Sequence, residues 1–257
     1  FKQGGARRER VVLTTKVHEE MHNPYDGPNS PGGLSAYKVR RHLRESMERL
    51  QTDHVELYFM HHIDRTTSWE EMWDVFEQLY RDGLIDYVGT SNHPAWYFTM
   101  GQERANARHF FGIAAEQHLY NLLTRYAELE VLPAAKKQGI AIMTYSPLSG
   151  GRLTRAGFAS MQEADAAGKL DEAGKRTLNQ LKRYDAFCKD LGVTQEEAGL
   201  AWLLHNPCVT CPIIGVSKAE QIESSAKALE VKLTAENLKQ LDEIFPAMGA
   251  APETYAW

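Results

Sequence analysis

Cysteine is scarce in this chain, long apolar runs are missing, and charge of either sign is nearly balanced. Three cysteines in 257 residues, Cys188, Cys208 and Cys211, are too sparse and too odd in number for a disulfide framework and suit a reducing compartment. No apolar run approaches the ~20 residues needed to cross a bilayer. A net charge of −5 gives no electrostatic reason to bind nucleic acid or an anionic membrane. What remains is a 43% hydrophobic, 25% charged chain, enough for a sizeable core and too apolar for disorder. The expectation is a cytoplasmic, enzyme-sized domain spanning residues 1–257.

Apolar runs alternate with amphipathic patterns along the chain. Strands are predicted at 11–17, 55–60, 85–90, 111–116, 140–144 and 209–214. Helices are predicted at 35–50, 68–81, 94–107, 125–137, 177–191, 194–205, 219–228 and 235–244. Capping boxes are predicted for Ser68 with Glu71, Thr194 with Glu197, and Ser217 with Glu220. Such alternation predicts an α/β fold of parallel strands joined by helical crossovers. Two connections, 18–33 and 150–174, read as long loops over a site.

Several strands end in polar residues, and parallel α/β folds build active sites at that edge. Lys16 ends the first strand and His61 the second; Ser91 and Asn92 follow the third. A strand-end lysine can simply reach solvent, or it can act as a buried ammonium on a neighbour's pKa. His61 and His62 are adjacent, so alternation on a strand predicts that they point in opposite directions. After the fifth strand, Tyr145-Ser146-Pro147-Leu148-Ser149-Gly150-Gly151 offers a ring, hydroxyls and glycines suited to a flat ring and a pyrophosphate. The segment Gly215-Val216-Ser217-Lys218, with Gln221 in the next helix, suits a phosphate.

Two short matches read as coincidence. The HExxH pattern His18-Glu19-Glu20-Met21-His22 needs a helix to bring both histidines together, yet it follows a strand and precedes Asn23-Pro24. The CxxC pattern Cys208–Cys211 falls in a strand, where positions i and i+3 face opposite sides. No resident metal is expected.

Taken in order, Lys16, Leu57-Tyr58-Phe59-Met60-His61 with Asp64, Val88-Gly89-Thr90-Ser91-Asn92, Glu116-Gln117 with Tyr120-Asn121, Tyr145-Ser146-Pro147-Leu148, and Ile214-Gly215 through Gln221 resemble the aldo-keto reductase family. The wording around Met60-His61-His62 is similar to its bacterial branch near potassium-channel β-subunits and deoxysugar ketoreductases. The resemblance implies a (β/α)8 TIM-type barrel that binds NADPH without a Rossmann fold, and the chain carries no GxGxxG. It makes Lys16 and His61 two members of an Asp-Tyr-Lys-His tetrad. It assigns the nicotinamide carboxamide to Ser91, Asn92 and Gln117, and ring stacking to Tyr145. Ser146 and Leu148 would line the pyrophosphate path, Gly215 the turn beside it, Ser217 and Lys218 the 2′-phosphate, and Gln221 the adenine.

Family members carry the Asp and Tyr before the lysine strand, and nothing in residues 1–10 can serve; Tyr25 follows Lys16 in the wrong connection. The expectation is that the first two strand-helix units, on the order of 60 residues, are absent from this sequence. The function implied is NADPH-dependent reduction of an aldehyde or ketone, with a small-molecule carbonyl substrate and a homo-oligomer as compatible partners. Its rivals are a non-catalytic NADPH-binding regulatory subunit and a sugar-nucleotide ketoreductase.

Overall fold

Strand formation follows the apolar runs, and each run is joined to the next by a helix. The computed structural model describes residues 8–20 and 32–256, so Tyr25, His22 and most of the predicted 18–33 loop lie outside the described residues. The chain divides into two compact units, Phe1–Gln117 with Ala134–Ala141, and His118–Pro133 with Ile142–Trp257.

In the first unit the order is β1 (Thr14–Val17), α1 (Ala36–Leu50), β2 (Val55–Met60), α2 (Trp69–Arg81), β3 (Ile85–Ser91), α3 (Ala95–Ala107) and β4 (Ile113–Leu119). The strands pair in parallel, with Lys16 opposite Phe59, Met60 opposite Thr90, and Ser91 opposite Gln117. Their C-terminal ends are therefore level. Gly89 is required by packing, because a Cβ there would strike the Phe59 ring on β2. β1 starts at Thr14, three residues later than predicted, since Val11 and Val12 are exposed and outside the ladder. β4 is shifted to start at Ile113: Phe111 is exposed, and Gly112, at φ 80°, turns the chain.

Asp64 organises the turn after β2. Its carboxylate accepts from Leu34 N at 2.8 Å, Thr66 N at 2.8 Å, Thr66 Oγ1 at 2.6 Å and Thr67 Oγ1 at 2.7 Å. Burial works against the charge, but these donors outweigh it and hold the carboxyl well below the ordinary range.

The second unit holds α4 (Val131–Gln138, which begins here and runs into the first unit), β5 (Ala141–Tyr145), α5 (Arg155–Ala166), α6 (Glu172–Leu191), α7 (Gln195–His205), β6 (Val209–Pro212), α8 (Ala219–Ala226) and α9 (Ala235–Ile244). β5 and β6 are parallel, with Met143 opposite Cys211. The predicted 125–137 helix is split into a 3-10 turn, Tyr126–Glu128, and α4. Pro133 has no N–H to return to the Leu129 carbonyl, which instead accepts from Ala251 N at 2.9 Å.

The 150–174 segment is not a plain loop. Thr154 Oγ1 caps α5 by accepting from Gly157 N at 3.0 Å, Gly168 at φ 65° closes it, and Asp171 caps α6 five residues before its predicted start. Thr194 and Glu197 form the predicted reciprocal capping box. Ser68 caps α2, accepting from Glu71 N, while the reciprocal Glu71 side chain accepts instead from Ala36 N. The box predicted for Ser217 with Glu220 does not form: Lys218 is the N-cap, and the Gln221 carboxamide oxygen accepts from Ser217 N at 2.7 Å and Lys218 N at 3.2 Å. An ammonium cannot accept a hydrogen bond, so only this half of a capping box is made.

Arg125 is the polar centre of this unit. It donates to Glu128 at 2.6 Å, Asp242 at 2.6 Å and the Phe245 carbonyl at 2.7 Å, and lies 5.1 Å from the Trp202 ring centroid. Tyr120 donates to the same Glu128 at 2.7 Å.

Two outcomes are expected. Asp64→Asn should cost roughly 2–4 kcal/mol at pH 7, because buried charge-assisted bonds are lost. The folded pKa is depressed, so this stability is fully present above about 4 and fades as pH falls below that value. The parent–variant gap in urea unfolding should shrink as pH drops below 4; a constant gap would contradict this account. Arg125→Met should cost roughly 3 kcal/mol by leaving Glu128 without its cation, read as a lower thermal midpoint.

Candidate active site

β1 and β2 bring Lys16 and His61 to the same edge. Lys16 Nζ lies 5.8 Å from the Phe59 ring centroid and has no salt-bridge partner among the described residues. Lys16 is half-buried, and that burial lowers its pKa from the ordinary lysine value. His61 N donates to the Val17 carbonyl at 2.8 Å, extending the ladder by one bond past β2. The His61 pKa is lowered by burial first, then by His62 and by the charge of Lys16, so its imidazole is neutral near pH 7.

His61 and His62 do not diverge as predicted. Their rings stack at 4.4 Å between centroids and 20° between planes. β2 ends at Met60, so strand alternation no longer governs these two residues. Both meet Glu19, with His62 Nε2 2.9 Å and His61 Nδ1 3.6 Å from its Oε1. His18 joins from the side, its ring 5.2 Å from that of His62. Residues 18–20 are not helical, which removes the geometry that an HExxH zinc site requires. The sequence reading missed Glu19 here because only the fold brings the loop after β1 beside the end of β2.

Next along the edge, Ser91 and Gln117 pair across β3 and β4 and are both buried. Asn92 follows at φ 54°; its N–H donates to the Gln117 carbonyl at 3.0 Å and its Nδ2 to Ser91 Oγ at 3.3 Å. The predicted carboxamide-binding trio is thus contiguous. Glu116, buried behind it, accepts from His93 N at 3.1 Å and fixes the turn into α3.

In the second unit a cavity of about 520 Å³ is lined by Ser146, Leu148, Gly150, Gly151, Gly215 and Gln221, together with Glu196, Ser224 and Ser225. That size suits a small-molecule or nucleotide portion. A Cβ at 150, 151 or 215 would meet no atom within 4 Å, so the wall there is bare backbone that a pyrophosphate can approach. Asn121 Nδ2 holds the turn by donating to the Ser146 carbonyl at 3.0 Å, where Ser146 has φ 49°. Tyr145 ends β5, half-buried, next to this wall in sequence. Ser217 and Lys218 stand exposed at the start of α8 and are not part of the cavity wall.

Glu196 was not anticipated. It sits at the start of α7, lines the cavity, and accepts from Arg155 N at 3.2 Å. Cys188, Cys208 and Cys211 are free, and burial pushes the Cys188 thiol up to about 12, so it is inert. No helix among the described residues is long and apolar enough to cross a membrane.

The uncharacterized oxidoreductase YrpG of Bacillus subtilis (strain 168) is 48% identical over 258 aligned residues, covering 100% of this chain and 79% of its own. A putative voltage-gated potassium channel subunit beta of Schizosaccharomyces pombe is 34% identical, over 95% of this chain and 74% of its own. Versiconal hemiacetal acetate reductase of Aspergillus parasiticus is 28% identical, over 92% and 74%. The aldo/keto reductase family, whose fold is the (β/α)8 barrel, matches residues 1–245, and this chain belongs to it.

Proposed function

We propose that the protein reduces an aldehyde or ketone to an alcohol with NADPH as hydride donor. The observation that carries this reading is the meeting of Lys16 and His61 at the ends of adjacent strands, with Ser91, Asn92 and Gln117 next along the same edge. When bound, the reduced nicotinamide supplies the hydride. Ser91, Asn92 and Gln117 offer both donors and acceptors and would hold its carboxamide. Tyr145 would cover one face of the ring. Ser146, Leu148 and Gly215 would take the pyrophosphate, and Gln221 the adenine side.

The chain's own residues act on the carbonyl. Neutral His61 would donate a hydrogen bond to the substrate oxygen and fix its direction. The ammonium of Lys16 would lower the pKa of the tyrosine that delivers the proton. The family resemblance calls for that tyrosine, together with an aspartate, to complete the tetrad with Lys16 and His61. A second reading, a cofactor-binding subunit without turnover, draws on the channel-subunit name of one relative.

His61→Ala should lower kcat by roughly 10²–10⁴-fold while NADPH affinity changes little. His62→Ala should act mainly through substrate affinity or stability. NADPH oxidation with a panel of carbonyl compounds reads both, and the reverse pattern would refute the assignment. Tight NADPH binding with no turnover on any carbonyl would favour the regulatory reading.

Cofactor choice turns on charge. Lys218 can hold a 2′-phosphate, but its ammonium is exposed, so Lys218→Ala should narrow the preference for NADPH over NADH by roughly tenfold only. Glu196 lines the cavity proposed for the pyrophosphate, which both cofactors carry, so Glu196→Gln should tighten both without changing the preference. Dissociation constants for both cofactors test this. Equal affinity for the two in the parent would sink the proposal of NADPH.

A further inference from the structure

We propose that Glu19, His61 and His62 form a binding site for a divalent transition-metal ion, with Zn²⁺ as the best chemical match. One ligand atom from each residue lies within 4.8 Å of the other two. Around Glu19 Oε1, His62 Nε2 is at 2.9 Å and His61 Nδ1 at 3.6 Å. Ligands about 2.0–2.1 Å from a tetrahedral ion stand roughly 3.3 Å apart, a value these two distances bracket. The two rings now stack with nearly parallel planes, so binding would turn at least one of them until the in-plane lone pairs converge on the ion.

A second observation points to the same place. His18 Nδ1 is buried, lies 3.9 Å from the same carboxylate oxygen, and has no hydrogen-bond partner among the described residues. A buried ring nitrogen left in this way is costly unless something meets it. With modest movement it supplies the fourth ligand; otherwise water does. Two or three imidazoles and one carboxylate are borderline donors, which select Zn²⁺, Co²⁺, Ni²⁺ or Cu²⁺ over Mg²⁺ and Ca²⁺. Glu19 is 63% exposed, so an ion reaches the cluster from solvent without rearrangement of the core. The rival explanation of the cluster is simple pairing of imidazole with carboxylate, which needs no metal.

The site would not be an HExxH hydrolase centre, because the described residues 18–20 are not helical. Its consequence is inhibitory: an ion held by His61 Nδ1 ties down the ring that the reductase reading uses to orient the carbonyl. That consequence rests on the proposed function; metal binding does not.

Co²⁺ titrated into metal-free protein, followed by its visible absorption and displaced by Zn²⁺, tests the site without any enzyme assay. One saturable site with micromolar or tighter Zn²⁺ affinity is expected, weakened at least about tenfold by His62→Ala and by Glu19→Gln. Glu19→Gln is conservative and exposed, so it serves even where His62→Ala fails to fold. His205→Ala, on the exposed end of α7, should leave the affinity unchanged. No saturable binding at micromolar metal, or equal affinity in the parent and both variants, overturns the proposal. In the NADPH assay, Zn²⁺ should inhibit the parent, and Glu19→Gln should raise the inhibitory concentration by the factor seen in binding. Metal binding in a protein that reduces no carbonyl would uphold this site and sink the reductase reading instead.

Discussion

Level parallel pairing is the constraint on which the first unit's chemistry depends. Strands buried on both faces can carry polar side chains only near their ends, where solvent or a ligand meets them. With Lys16 opposite Phe59, Met60 opposite Thr90, and Ser91 opposite Gln117, those ends fall on one line. A slip of one residue in any pair would turn Lys16 or Ser91 to the other face of its strand. The packing that prevents such a slip is local: the Phe59 ring occupies the space left by Gly89, and Tyr58, fully buried, donates to the Val39 carbonyl of α1 at 3.0 Å.

Beyond the strand ends the backbone is irregular, and carboxylates of low exposure hold it. Asp64 accepts from Leu34 N and Thr66 N, Glu116 from His93 N, and Glu56 from Leu13 N. In the second unit Glu128 accepts from Met248 N at 2.8 Å. Each satisfies N–H groups that no strand or helix ladder reaches. Arg8 neutralises Glu56 through two contacts, at 2.6 and 3.1 Å, so the segment before β1 is pinned to β2 by charge as well as by the backbone. A carboxylate offers two acceptor oxygens where an amide offers one, so it can serve donors on both sides of such a turn.

The existence and order of the strands were legible because six apolar runs had no other way to be buried. Their ends were less so. Whether Val11 and Val12 join β1 depends on pairing and burial elsewhere, not on their own propensity for strands. The helix at Arg155–Ala166 was concealed by the glycines around it, although Thr154 was a readable cap. Glu197 reaches back to Thr194 as read, while at α8 the choice fell to Gln221 over Glu220 because its oxygen reaches two N–H groups. The places of Lys16, His61, Ser91 and Asn92 at one strand edge were readable from the strand ends, and that of Gln117 from family wording. Glu19 and Glu196 were not, since each reaches its place only through long-range folding.

The backbone adds an argument that side-chain chemistry alone does not make. Among described non-glycine residues, positive φ occurs at Gln51, Asn92, His109, Ser146 and Ser149. Gln51 closes α1 and His109 follows α3 closely, the ordinary places for left-handed residues at helix ends. The other three follow β3 and β5. A glycine would adopt those angles at lower cost, so a polar side chain kept there is carried for what it contacts. Asn92 turns its amide toward Ser91, and Ser146 turns its carbonyl toward Asn121 while its own side chain borders the cavity. Local backbone strain at these two strand ends thus falls on residues that the proposed function gives to the cofactor, where pre-set geometry would spare the reorganisation that binding otherwise requires.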